Sequence, residues 1–206
     1  VIVAGGSSLT ALTAGSLAAY ALGRLRFRGK TPMLYAVLAM TMFPQISILS
    51  GLYLTVRELN IYGTQAAMLF AYPLFTLPFS TWVLTSFFRG LPREIEEAAI
   101  VDGATTAQIL ARILLPLTVP ALVTTGLLTF IVSWNEYLLA RSFTVTNPSA
   151  QTVPVAMAQF AGIVEQQEPI AEIMAAAMIV TLPLVVLVLV FQQRIAAGLT
   201  AGSVKG

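Results

Sequence analysis

Four of the nine acidic residues of this 206-residue chain, Glu94, Glu96, Glu97 and Asp102, crowd into one short segment beside Ala98, Ala99 and Gly103. Carboxylates set among small side chains suit docking: Glu97 offers a charge to a cationic partner, and Ala98 and Ala99 permit close approach. They do not suggest covalent chemistry. The chain has no cysteine and no histidine, which removes thiolate chemistry, the commonest general base and the commonest metal ligand. No His, Cys or paired-carboxylate site falls in the apolar stretches, so an intramembrane enzyme is a poor fit.

The elements that position these carboxylates can be read locally. Pro92 suits a first helical position, and Glu94, Glu96 and Glu97 then lie at the positive end of the helix dipole. Asp102-Gly103 stops that helix, because glycine takes the left-handed conformation that helix ends need. Thr105 with Gln108 three residues on matches a capping box, so a second helix starts there and runs to Pro116. The expectation is helix, glycine elbow, helix.

Glu97-Ala98-Ala99, three residues, Gly103, nine residues, Ile113, one residue, Leu115-Pro116 resembles the EAA loop of the membrane subunits of binding-protein-dependent ABC importers. The resemblance implies that residues 89–116 form a cytoplasmic coupling loop that docks into a cleft on an ATP-hydrolysing subunit. Glu97, Ala98, Ala99, Asp102, Gly103, Ile113, Leu115 and Pro116 would be its ATPase-coupling residues. The alternative is an amphipathic loop lying on lipid headgroups.

Composition places the rest of the chain in a bilayer. The sequence is 57% hydrophobic and 10% charged, against about 25% charged in soluble domains, with a mean hydropathy of +0.85. Five transmembrane helices are expected, at residues 1–23, 32–56, 65–88, 117–140 and 173–192, in an all-α membrane protein forming one transmembrane domain over 1–206, which the resemblance makes a permease domain. Small residues in the first span favour close helix packing. Pro44, followed by Gln45, predicts a kink or break inside the second span, and Pro73 and Pro78 predict a bent third. The sequence starts at Val1 within an apolar run, and a sixth span is expected to precede it.

Basic residues orient the chain. With the central loop, the first connection and the C-terminus on one side, Arg24, Arg26, Arg28, Lys30, Arg89, Arg93, Arg112, Arg194 and Lys205 gather there, and Arg57 and Arg141 fall opposite. By the positive-inside rule that side is cytoplasmic. Arg24 to Lys30 read equally as snorkelling side chains at the interface. Residues 141–172 then form an external loop and 193–206 a cytoplasmic tail, too poor in apolar surface to fold alone. Trp134 and Tyr137 fit an interfacial belt. Asn135, Glu136, Tyr137 and Gln45 are the candidates for the wall of a polar pathway.

Further stretches, Tyr20-Ala21-Leu22 before Arg24, Ser133-Trp134-Asn135-Glu136-Tyr137, and Gly198 through Gly206, are similar to the carbohydrate branch of these importers, the maltose- and trehalose-type permeases. The resemblance implies a type I ABC importer permease fold and a sugar importer subunit in a bacterial or archaeal plasma (inner) membrane. It implies as partners a second, different permease subunit, a dimer of ATP-binding subunits and an external sugar-binding protein, with lipid around them and no nucleic acid. This chain would hold no cofactor, ATP and Mg residing on the ATPase. The tail, with Leu199, Thr200, Gly202 and Lys205, would contact the ATPase interface. Another sugar or a polyol is the alternative substrate. An ion-coupled secondary transporter fits less well, because only Glu136 could serve as its coupling carboxylate.

Overall fold

A backbone in hydrocarbon must satisfy its own hydrogen bonds, and the described part of this chain does so with helices. The computed structural model describes residues 1–163 and 170–201, and every regular element among them is helical. Three helical stretches are long and apolar enough to cross a membrane, Ile2–Gly23, Gln65–Gly90 and Ile170–Gln192. Two bent pairs raise the number of spans to five if each pair is one span.

Helix α1 (Ile2–Gly23) lies at the centre, packed along α5 (Pro73–Gly90) and α9 (Val119–Asn135). Its small residues explain the fit. A side-chain carbon added at Gly15 would stand 3.0 Å from Cβ of Ser80, so the two backbones approach as only a glycine allows. The hydroxyls of Ser7 and Ser8 donate to the carbonyls of Val3 and Ala4 in the preceding turn, so burying them leaves no donor unpaired.

The expected second span is two helices, α2 (Lys30–Thr41) and α3 (Gln45–Glu58), meeting at 92°. Pro44, extended at φ −65° and ψ 128°, stands immediately before α3, and the kink or break predicted there is a break. In the third span α4 (Gln65–Ala71) leads through Tyr72, itself in helical conformation, into Pro73 at the first position of α5. A proline there loses no hydrogen bond, so Pro73 continues the span.

Two buried clusters sit near the two ends of α1. One gathers Val3, Val56, Met68, Tyr72, Leu139, Phe143 and Val155; the other gathers Ala19, Tyr20, Leu84, Phe88, Ile109, Leu110 and Leu114. The first takes in part of residues 141–172, the stretch expected outside the membrane with an amphipathic segment near Val155 to Ile163. That stretch contains most of α10 (Leu138–Thr144), α11 (Val153–Ile163) and the start of α12 (Ile170–Ala201), and its Phe143 and Val155 are wholly buried. Asn147 Nδ2 also donates to Gly63 O at 2.8 Å, tying the stretch to the α3–α4 connection.

One span end differs from expectation. The fourth span ends at Asn135, where Glu136, extended at ψ 125°, breaks the helix before α10. The last span ends at Gln192 as expected, and the helix that carries it runs on to Ala201. Alanine-rich sequence after Gln193 has high helix propensity and propagates the existing helix into the segment expected to form the tail.

Candidate functional site

The polar segment folds much as its residues dictate. Helix α6 (Glu94–Val101) carries Glu94, Glu96 and Glu97 in its first turn and starts two residues after Pro92. At its other end Gly103 has φ +78°, the Gly103 N–H donates to Ile100 O at 3.0 Å and the Ala104 N–H to Ala99 O at 2.9 Å. That pair of bonds is a Schellman ending, which requires a left-handed residue at Gly103. The capping box is present: Gln108 N donates to Thr105 Oγ1 at 3.3 Å, and Thr105 N to Gln108 Oε1 at 2.8 Å. The second helix is a composite of α7 (Thr106–Gln108), a π-helical stretch Ile109–Leu114 and α8 (Leu115–Leu117), which turns by 77° into α9.

The loop is bolted to α1. Arg24, the residue closing α1, is 8% exposed; its Nη2 donates to Leu91 O at 2.7 Å and its Nε lies 2.8 Å from Glu96 Oε1. The Nε approach is off the N–H line, so it is an ion pair more than a directed hydrogen bond. Arg89 Nη2 donates to Leu22 O at 3.3 Å, and Lys30 Nζ to Gly23 O at 3.0 Å and Leu25 O at 3.2 Å. Three cations thus converge on the negative end of α1, where such charges are favourable. Tyr20 and Phe88 meet edge to face beside them, ring centroids 6.3 Å apart.

The motif residues divide between two faces. Glu97, Ala98, Asp102, Gly103 and Pro116 are exposed. Ala99 is buried, and Ile113 and Leu115 pack against the same cluster as Tyr20 and Phe88. These last three hold the loop to the bundle, so the surface open to a partner is narrower than the motif. Sequence reasoning missed two members of that surface, Ile100 and Val101, 61% and 87% exposed. Their signal was an apolar pair directly before the Asp102-Gly103 stop. Beside them a recess of ≈ 200 Å³ is lined by Arg24, Arg26, Arg93, Glu96, Glu97 and Ile100.

The pathway candidates do not form one site. Glu136 accepts from Leu139 N at 2.9 Å on Oε1 and from Ala140 N at 3.1 Å on Oε2, which makes it a cap for α10. Asn135 Nδ2 donates back to Ile131 O at 2.9 Å, and Tyr137 lies under the Arg141 guanidinium, 6.0 Å from the ring centroid. Gln45 opens α3, half-buried. Leu199 and Thr200 fall on the backbone of α12, and Gly202 and Lys205 lie outside the described residues.

A family model described as "Binding-protein-dependent transport system inner membrane component" matches residues 11–201. The chain is 43% identical over 200 residues to the trehalose transport system permease protein SugB of Mycobacterium tuberculosis, covering 97% of this chain and 73% of that protein. It is 44% identical over 206 residues to the trehalose/maltose transport system permease protein MalG of Thermococcus litoralis, covering 100% and 73%. Among solved structures it is similar to a bacterial ABC transporter involved in the import of the acidic polysaccharide alginate, with a TM-score of 0.68 at 26% identity over 93% of this chain and 71% of that one.

Proposed function

The chain belongs to the family of binding-protein-dependent transport system inner membrane components, and on that premise we propose that it is the membrane subunit of an ATP-driven importer of trehalose- or maltose-like sugars. The names of the SugB and MalG proteins support the sugar class. In this reading it forms half of the translocation pathway beside a second, different permease. An ATPase dimer holding ATP and Mg lies beneath, an external binding protein delivers the sugar, and the C-terminus faces the cytoplasm of a bacterial or archaeal cell. The tail, with Leu199, Thr200, Gly202 and Lys205, reaches the ATPase interface.

One observation carries the mechanism: α6 presents Glu97, Ala98, Ile100, Val101 and Asp102 outward while Arg24 and the buried Ala99 fix it to the bundle. A docked element that cannot slide on its own protein moves as part of it. Closure of the ATPase dimer, pulling on α6, therefore displaces α1 and α5 as rigid bodies and switches the pathway between inward- and outward-open states. No covalent step on this chain is needed, and family membership disfavours an ion-coupled secondary transporter.

The test is to co-purify the complex and measure ATPase stimulation by a panel of binding proteins loaded with different sugars. Stimulation by a trehalose- or maltose-loaded protein is the expected result. A complex without an ATPase, or one deaf to every sugar, overturns the reading.

A further inference from the structure

We propose that a recess of ≈ 240 Å³ at the end of α1 remote from Arg24 binds one ring of a neutral, polyhydroxylated substrate; this rests on the sugar-importer reading above. Four segments meet there: the start of α1 at Val3, the start of α4 at Gln65, the end of α9 at Ser133 and Trp134, and the approach to α11 at Gln151 and Thr152. Along α1 the recess stands about 30 Å from the coupling loop, at the end where a substrate would enter from an external binding protein.

The polar groups there are the reason for a ligand. Ser7, Ser8, Ser80 and Thr144 each donate to the carbonyl four residues back. Ser133 is just as buried, at 3% exposed, yet its hydroxyl has no partner among the described residues. Gln151 and Thr152 are half-buried residues whose Nε2 and Oγ1 are shielded from solvent and unpaired; Tyr72, Thr81 and Thr125 carry such oxygens elsewhere, whereas Ser133, Gln151 and Thr152 share this one recess. Thr152 directly precedes α11, and its carbonyl accepts from Ala156 N at 3.0 Å. A threonine so placed ordinarily spends its hydroxyl on capping the helix, and here it does not.

The chemistry of the lining selects the ligand. Two hydroxyls and an amide N–H₂ supply donors and acceptors together, which matches sugar hydroxyls, each a donor and an acceptor. Trp134, stacked on Phe130 with ring centroids 5.6 Å apart, gives a fixed aromatic wall for the apolar face of a ring. No Asp, Glu, Lys or Arg lines the recess among the described residues. A carboxylated ring would find no cationic side chain to pair with there, so the lining side chains favour neutral sugars over acidic ones.

The test uses the full-length chain in the complete importer, reconstituted in vesicles with its binding protein, and measures uptake of radiolabelled trehalose and maltose. Ser133→Ala, Gln151→Leu and Thr152→Val should each raise KM about five- to tenfold, the loss of one neutral hydrogen bond. Thr152→Ser, which keeps the hydroxyl, should restore the unaltered KM and so separates recognition from folding. Unchanged KM in all three variants overturns the site. Uptake of an alginate disaccharide as readily as trehalose overturns the neutral-ring assignment. If the unaltered importer takes up neither sugar, the sugar-importer reading fails as well.

Discussion

Arg24 Nε and Glu96 Oε1 lie 2.8 Å apart, joining the last turn of α1 to the first turn of α6 with side chains 3% and 17% exposed. Removing one member leaves the other charged and largely out of water. Arg24→Ala or Glu96→Ala is therefore expected to cost roughly 3–5 kcal/mol, measured as a fall in thermal stability of the purified complex. A double-mutant cycle with Arg24→Met and Glu96→Met should show strong coupling, and strictly additive effects would show that the pair does not join the two helices.

The glycine elbow makes a separate prediction, because nothing lies within 4 Å of a side-chain carbon built on Gly103. Any penalty there is conformational, set by φ +78°, and not steric. Gly103→Asn should retain most transport, since asparagine tolerates the left-handed region, whereas Gly103→Val should lose it at a strain of about 1–2 kcal/mol or more. Vesicle uptake, with membrane insertion checked by immunoblot, distinguishes them. Equal uptake by both variants would refute the role of the elbow.

How much of this loop could be read in advance depended on the range of the interaction. The Schellman glycine and the Thr105–Gln108 box are bonds between residues three to five apart, so residue type and spacing determined them. The pairing of Arg24 with Glu96 spans the whole of α2 to α5, and no local pattern announces it. Arg24 looked like any interfacial arginine. The bonds of Glu136 were not legible either: an ionisable group near a span end suggested a pathway wall, and the structure shows its oxygens accepting from the N–H groups of Leu139 and Ala140. Five apolar blocks were legible by length and the break at Pro44 by residue type, whereas the burial of Phe143 depends on what packs against it.

Glu136→Ala should therefore act on stability. It removes both capping oxygens from the start of α10 and should cost about 0.5–2 kcal/mol, as loss of a helix cap does. Thermal unfolding of the complex is expected to fall while KM for sugar stays unchanged. A KM shift without loss of stability would return Glu136 to the pathway.

Ile100 and Val101 give the partner surface an apolar centre. Both are exposed, so replacing them with serine should leave stability within about 0.5 kcal/mol, yet take apolar area from the docked state. Ile100→Ser with Val101→Ser is expected to abolish co-purification of the ATPase subunit from a membrane in which the permease itself accumulates normally. Retention of the ATPase at the unaltered ratio would place the docking surface elsewhere.

The orientation of the chain is open to direct chemical reading, because a sequence without cysteine gives no background to a thiol reagent. Ser149 and Asp102 are both exposed. Ser149 lies in the short turn before α11, among the segments that surround the buried cluster at Val3; Asp102 closes α6 beside the opposite cluster. In the proposed orientation, which the excess of arginine and lysine around α6 supports, Asp102 faces the cytoplasm and Ser149 the outside. Ser149→Cys should thus react with a membrane-impermeant maleimide in intact cells, and Asp102→Cys only after the membrane is opened or in inverted vesicles. Ser149→Cys loses the hydroxyl bond to Asn147 Oδ1, 2.7 Å long and exposed, a change too small to unfold the turn. Labelling of Asp102→Cys in intact cells with protection of Ser149→Cys would invert the topology, and with it the assignment of α6 to an intracellular ATPase.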